Sequence, residues 1–298
     1  MNKLLVIDGN ALLHRAYHAY PPLTNPQGET INVVFGFFSM IFTIYADHKP
    51  DHLVICFDRG APTFRMQMFA GYHADRGEME EDFAAQLPLV YDIVEKTGIP
   101  MFALDGYEAD DLIGTIATEA VKDGKTEVLI VTGDRDLLQL VNPQVKVLMP
   151  ITGFTKTKLF DEEAVEEKYG VHPRQFIDYK ALIGDNSDGY PGVTGIGPKG
   201  AAKLLQEFET FDNLYQSLDK LPEKTALKLA TDAEQAALAK KLATIITDAP
   251  ITFTIKPCEI SGFNLRLLRE GFRKHGFNSL LTRVDALFGK ETDQLELL

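Results

Sequence analysis

Two cysteines in 298 residues, Cys56 and Cys258, give the chain no disulfide framework and no paired spacing for a structural zinc site. A reducing, cytoplasmic setting is therefore expected. No apolar run is long enough to cross a bilayer, and Met1-Asn2-Lys3 leads directly into a short apolar segment without an export signal, so no membrane role is expected. Internal repeats and low-complexity blocks are also absent. Basic residues are in deficit: 30 Lys and Arg stand against 43 Asp and Glu, a net charge of −13. Taken alone, that sign argues against nucleic acid.

What the chain does have is 45% hydrophobic content, enough for a sizeable core in one large or two smaller domains. Its most informative feature is nine carboxylates in five short clusters: Asp8; Asp58; Glu108, Asp110 and Asp111; Asp134 and Asp136; Asp185 and Asp188. Several follow apolar runs, Leu4-Leu5-Val6-Ile7 before Asp8, Leu53-Val54-Ile55-Cys56-Phe57 before Asp58, and Val128-Leu129-Ile130-Val131 before Asp134. Continuous apolar runs of this length suit strands covered on both faces. Strands at 3–8, 52–57, 100–103, 127–132 and 145–148 alternate with helices at 10–18, 33–46, 83–97, from 107 and from 134, around an irregular charged stretch at 59–82. The fold class is therefore α/β, with a mostly parallel central sheet and helices on both faces. From about residue 161 the pattern is helical, apart from a possible strand at 251–254.

In such a sheet the carboxyl ends of the strands share one edge, so acids scattered along the chain converge. A divalent cation would relieve their repulsion, and oxygen-only ligands select Mg²⁺ or Mn²⁺. With nine of the acids facing cations, most of the charge deficit disappears. Each cluster alone also has an ordinary explanation. Asp8-Gly9-Asn10 and the stretch from Gly184 to Gly189 suit turns, and the clusters at Glu108 and Asp134 suit helix N-termini. The clusters beginning at Glu108 and Asp134 nevertheless hold more acids than a cap uses.

A second signal is Gly192-Val193-Thr194-Gly195-Ile196-Gly197-Pro198-Lys199-Gly200-Ala201-Ala202-Lys203. It matches the helix–hairpin–helix pattern, in which glycines bring backbone N–H groups to a nucleic-acid phosphate and a helix N-terminus adds its dipole. Lys199 and Lys203 add charge, and contact with the backbone carries no sequence preference. A plain interhelical turn is the alternative.

Taken together, Val6-Ile7-Asp8-Gly9, Phe57-Asp58, Gly106-Tyr107-Glu108-Ala109-Asp110-Asp111, Thr132-Gly133-Asp134-Arg135-Asp136, Lys180-Ala181-Leu182-Ile183-Gly184-Asp185-Asn186-Ser187-Asp188 and the hairpin resemble the 5′ nuclease (flap endonuclease) family. The likeness is greatest to the 5′–3′ exonuclease domain of bacterial DNA polymerase I and covers roughly residues 3–285. It implies a PIN-like nuclease domain at 1–172 with a helical arch near 65–97, a DNA-binding region at 173–288 with the hairpin near 185–208, and a tail at 289–298. It also implies structure-selective hydrolysis of DNA, or of RNA primer paired to DNA, near a free 5′ end, by two cations roughly 4 Å apart. All nine acids would form the metal shell, with Asp185 and Asp188 in the second site. Arg15, Gly195, Gly197, Lys199 and Lys203 would meet the nucleic acid, and a K⁺ ion would sit near Val193 and Ile196.

One departure from the pattern lies in the arch. Where relatives carry Tyr-Lys-Ala-Asn-Arg, this chain has Tyr72-His73-Ala74-Asp75-Arg76. An unperturbed histidine is mostly neutral at neutral pH, so cleavage could be weaker or pH-dependent, unless Arg76 or Lys180 supplies the charge. Tyr72 is expected to stack on a base, with a place in the protein core as the alternative. Gln294-Leu295-Glu296-Leu297-Leu298 resembles a short sliding-clamp docking motif. Nothing demands more than a monomer. Two other readings remain: a small-molecule phosphatase, and a catalytically weak protein of this fold that binds branched DNA.

Overall fold

The structure is a computed structural model and describes residues 1–60, 62–74, 77, 79–152 and 156–290. Asp75, Arg76 and Glu78 of the expected arch, and the clamp-like residues 294–298, lie outside the described residues.

Five strands, β1 (Asn2–Asp8), β2 (His52–Cys56), β3 (Met101–Phe102), β4 (Thr126–Val131) and β5 (Val145–Thr152), pair in parallel, and β6 (Lys156–Phe160) closes one edge antiparallel to β5. The sheet order is β3-β2-β1-β4-β5-β6. Successive residues of the inner strands serve opposite faces, as the two-residue period of a strand requires. Leu4, Val6, Val54, Cys56, Val128 and Ile130 belong to one core, which Leu112, Ile113 and Ile116 of α6 (Ala109–Val121) complete. Leu5, Ile7, Leu53, Ile55, Leu129 and Val131 belong to the other, under α1 (Gly9–Ala19) and α2 (Asn32–His48). Short α3 (Phe64–Met68) and α4 (Glu81–Ala84) lead into α5 (Leu87–Thr97), which also covers this second face. Each fully buried aliphatic side chain contributes about 1.5–3 kcal/mol, so the two-sided burial fixes the strand register.

Helices α7 (Glu162–Tyr169), α8 (Phe176–Ile183), α9 (Pro198–Phe208), α10 (Phe211–Gln216), α11 (Glu223–Thr231) and α12 (Ala233–Ala243) form the second half. Phe176, Tyr179, Ala181 and Leu182 of α8 are buried at its centre and continue the core on the α6 side of the sheet. Strands β7 (Gly184–Asp185) and β8 (Tyr190–Pro191) make a small hairpin after α8. Finally α13 (Leu265–Lys274) and α14 (Asn278–Phe288) return to the opposite face, where Arg283 donates to Ser39 and Thr43 of α2.

Two expectations fail in detail. The helix expected from residue 134 is a short 3₁₀ turn, Asp136–Leu140, because Asp134 Oδ1 accepts the Asp136 N–H and the chain must turn at Asn142 to enter β5. The possible strand at 251–254 forms no ladder, and Phe253 instead packs on Phe102. Strand β6 went unforeseen. Among the described residues, no helix is long and apolar enough to cross a membrane.

Candidate metal centre and nucleic-acid interface

Asp8 ends β1 and caps α1. Its Oδ1 accepts the Ala11 N–H at 2.9 Å, and its Oδ2 accepts the Thr132 hydroxyl at 2.7 Å. The Thr132 hydroxyl oxygen in turn accepts the Asp134 N–H at 2.8 Å, so one threonine joins the ends of β1 and β4. Asp58, just beyond β2, accepts the Ala109 N–H at 2.7 Å, while its own N–H donates to Asn10. The ends of β1, β2 and β4 and the start of α6 are thereby tied together.

The electrostatics show the consequence. Burial, aided by Asp58 and Asp134, pushes the Asp8 carboxyl up to about 7, although the Ala11 N–H and Thr132 hydroxyl pull the other way. Burial and the charges of Asp134, Asp8, Asp58 and Asp136 hold Asp110 well above the usual carboxylate range. Asp136 rises to about 7, chiefly through burial and then Asp134, against the pull of Lys180. Five of the nine acids, Asp8, Asp58, Asp110, Asp134 and Asp136, thus share one field at the carboxyl edge. A hard divalent cation fits their oxygen-only chemistry and charge. Among the described residues, however, no three such side chains stand close enough to form a finished ligand set.

Asp111 does not join them. Its Oδ1 accepts from Arg65 at 2.8 Å and from the Ile246 N–H, and its Oδ2 accepts from Arg65 at 2.8 Å and from the Glu108 N–H. The residue is fully buried, and its oxygens are taken up in a bidentate ion pair that joins α3 to α6. Expected in the metal shell, Asp111 in this arrangement holds Arg65 instead. Glu108 lies at the margin. It accepts from Thr63, Arg65 and Tyr72, and burial raises its pKa despite Arg65.

Asp185 and Asp188 sit on the β7–β8 hairpin, held by cationic or imidazole partners. The Lys180 ammonium pairs with Asp136 at 2.6 Å and with Asp185, so its charge faces the acids. His73 Nε2 lies 3.0 Å from Asp188 Oδ1, and the His73 N–H donates to the Asp188 carbonyl at 2.9 Å. His73 holds a left-handed φ of 57°, and a Cβ on Gly189 would come 2.6 Å from the Gly71 carbonyl oxygen. The start of the arch is therefore packed on this hairpin. Tyr72 is 6% exposed, donates to Glu108 at 3.1 Å and stacks with the rings of His73 and Tyr190. Buried there, Tyr72 takes the core position that was the alternative to base stacking.

The glycine-rich hairpin behaves differently. Val193 and Ile196 are buried, whereas Thr194, Gly195, Gly197, Lys199, Gly200 and Lys203 are exposed. Gly197 caps α9, Pro198 opens it, and the two lysines project near that N-terminus. Arg15 is half-buried on α1. Several carbonyls in the stretch where K⁺ was expected already have donors. Val193 accepts the Ile196 N–H at 3.0 Å, Gly195 accepts Lys228 Nζ at 2.9 Å, and Gly192 accepts the Gln235 amide. With the Lys228 ammonium on the Gly195 oxygen, a free cation beside it would meet like-charge repulsion, so this stretch does not suit a monovalent ion. Three contributors were missed in the sequence: Arg65, Thr132 and Lys228. Thr132 was visible in its Thr-Gly-Asp turn, but nothing local marked the other two.

Fold and site define a class: a nuclease-type α/β protein with an acidic sheet edge, joined to a helical half that carries a glycine-rich hairpin. The chain belongs to the 5′–3′ exonuclease family. Residues 3–170 match its N-terminal resolvase-like domain and residues 171–266 its C-terminal SAM fold. It is 39% identical to DNA polymerase I of Bacillus subtilis over 297 residues, 99% of this chain and 34% of that protein. It is 38% identical to DNA polymerase I of Mycobacterium bovis over 253 residues, 84% of this chain and 28% of that protein. The chain thus spans about a third of the length of the curated relatives it matches. Its fold is similar to that of the bacteriophage T5 flap endonuclease, solved in a complex with DNA and metal ions, at a TM-score of 0.70 and 20% identity over 95% of this chain and all of that one. It is also similar to the catalytic core of Rad2 bound to DNA substrate, at a TM-score of 0.61 and 17% identity over 96% and 91% of the two chains.

Proposed function

We propose that this protein hydrolyses DNA phosphodiesters near a free 5′ end, as an exonuclease and flap endonuclease, and that it accepts RNA paired to DNA. The observation that carries this reading is the mutual field of Asp8, Asp58, Asp110, Asp134 and Asp136 at the carboxyl edge of the sheet. These five would hold Mg²⁺ or Mn²⁺, with Asp185 and Asp188 serving a second ion once Lys180 and His73 give way. Bound there, divalent cations would supply an activated water and stabilise the leaving oxygen. The chain's own residues prepare that state. Thr132 and the Ala11 N–H orient Asp8, the Ala109 N–H orients Asp58, and Lys180 offsets the charge of Asp136. Lys199 and Lys203, beside exposed glycines, would grip the duplex backbone together with Arg15.

We take residues 1–172 as the catalytic part and 173–288 as the DNA-holding part, working as a monomer. Two buried, unpaired thiols suit a reducing cytoplasm. The test is labelled 5′-flap DNA incubated with Mg²⁺ and, separately, with EDTA. Metal-dependent cleavage supports the nuclease. A stable complex without cleavage would favour the binding-only reading, and neither outcome would favour a small-molecule hydrolase.

A further inference from the structure

Lys228 and Gln235 make the feature that the proposed chemistry leaves unexplained. Both reach from the α11–α12 segment to carbonyl oxygens of the glycine-rich hairpin, Lys228 Nζ to Gly195 at 2.9 Å and the Gln235 amide to Gly192. Between them in sequence, Asp232 accepts the Thr194 N–H at 2.7 Å. One short stretch of chain therefore holds the outer hairpin by a cation, an anion and an amide.

We infer that the Lys228 ammonium takes the place of a monovalent cation in this hairpin, so that its grip on a nucleic-acid backbone does not require K⁺. The inference rests on the hairpin being a phosphate-binding element. An ammonium is a compact monovalent charge with three donors, well suited to a carbonyl oxygen. Tethered to α11, it is present at high effective concentration and has no need of a free ion. Gly195 is built for this contact. Its φ is +75°, and a Cβ there would lie 2.6 Å from Lys228 Nζ, so the missing side chain both permits the turn and makes room for the ammonium. Asp232 occupies the Thr194 N–H, which leaves the exposed Gly197–Gly200 turn and its lysine to meet a phosphate. Lys228 is thus a positioning residue, acting on the nucleic acid through the hairpin.

The test is equilibrium binding of a 5′-flap duplex in EDTA, which prevents cleavage, in KCl, NaCl or N-methylglucamine chloride at equal ionic strength. The parent is expected to bind equally in all three. Lys228→Ala, a change at a half-exposed helix position, is expected to bind roughly tenfold more weakly in N-methylglucamine, equal to about 1.4 kcal/mol, and to recover most of that loss in K⁺. Parent binding that itself needs K⁺ overturns the inference alone. A Lys228→Ala loss of equal size in every salt also overturns it, because Lys228 would then be touching phosphate directly. Unchanged binding by the variant does so as well. A parent that binds DNA in none of the salts overturns the phosphate-gripping reading together with the inference.

Discussion

Replacing Asp111 by Ala would leave the Arg65 guanidinium buried with only Glu108 as a counter-charge. Breaking a buried pair of this kind costs about 3–5 kcal/mol, so Asp111→Ala should lower the urea midpoint sharply. Asp134→Asn removes a like charge from Asp110, Asp8 and Asp136, so it should unfold no earlier than the parent while cleaving roughly 100-fold more slowly. Equal stability losses in the two variants would refute this division of roles. The sequence could not separate Asp110 from Asp111, since both fall in the first turn of α6. The distinction depends on Arg65, which arrives from a stretch with no periodicity. His73 poses the same kind of problem. Its identity is visible in the sequence, but its pairing with Asp188 depends on the fold. If His73 limits activity, single-turnover rates of His73→Lys should exceed those of the parent and vary less between about pH 6 and about pH 9. Parallel profiles of equal height would dismiss that role.

At the scale of elements, the inner strands were legible because continuous apolar runs have few other uses, and their ends located Asp8, Asp58 and Asp134. Strand β6 was not legible. Its Lys156-Thr157-Lys158-Leu159-Phe160 is a charged, half-exposed edge strand that pairs, among the described residues, with β5 alone. The glycines gave a clear local signal, but the sequence did not show what each one is for. Gly184 and Gly192 face each other so closely that a Cβ on Gly192 would lie 2.3 Å from the Gly184 nitrogen, with no flexible side chain to yield. Gly192→Ala should therefore cost about 1–3 kcal/mol and should weaken DNA binding by displacing the hairpin from α8. Gly197→Ala meets nothing within 4 Å and has an extended backbone, so it should fold like the parent. The two variants separate a glycine needed for packing from one that leaves the backbone open to a ligand.

For the whole molecule, the acidic edge couples folding to pH and to metal. Asp8 and Asp136 have pKa values near 7 in the fold against 3.8 as ordinary carboxyls, so between those values the folded chain holds protons that the unfolded chain has released. Their contribution is greatest at the acidic end and declines as pH rises through about 7. A divalent cation reverses this, because it binds the ionised carboxylates and so offsets the burial, and the lesser repulsion, that raised their pKa values. At a hundredfold excess over its dissociation constant it adds about 2.7 kcal/mol, and for a chain this long each kcal/mol moves the melting temperature by roughly 2–4 °C. Melting curves with and without Mg²⁺ should therefore diverge more at about pH 8 than at about pH 5.5, where protons compete for the same oxygens. Asp134→Asn should shrink the difference at the higher pH, because it removes one ligand and eases the field on the others. A Mg²⁺ shift of the same size at both pH values would mean that the cation binds away from Asp8 and Asp136, and that the shared field at the sheet edge is not where metal acts.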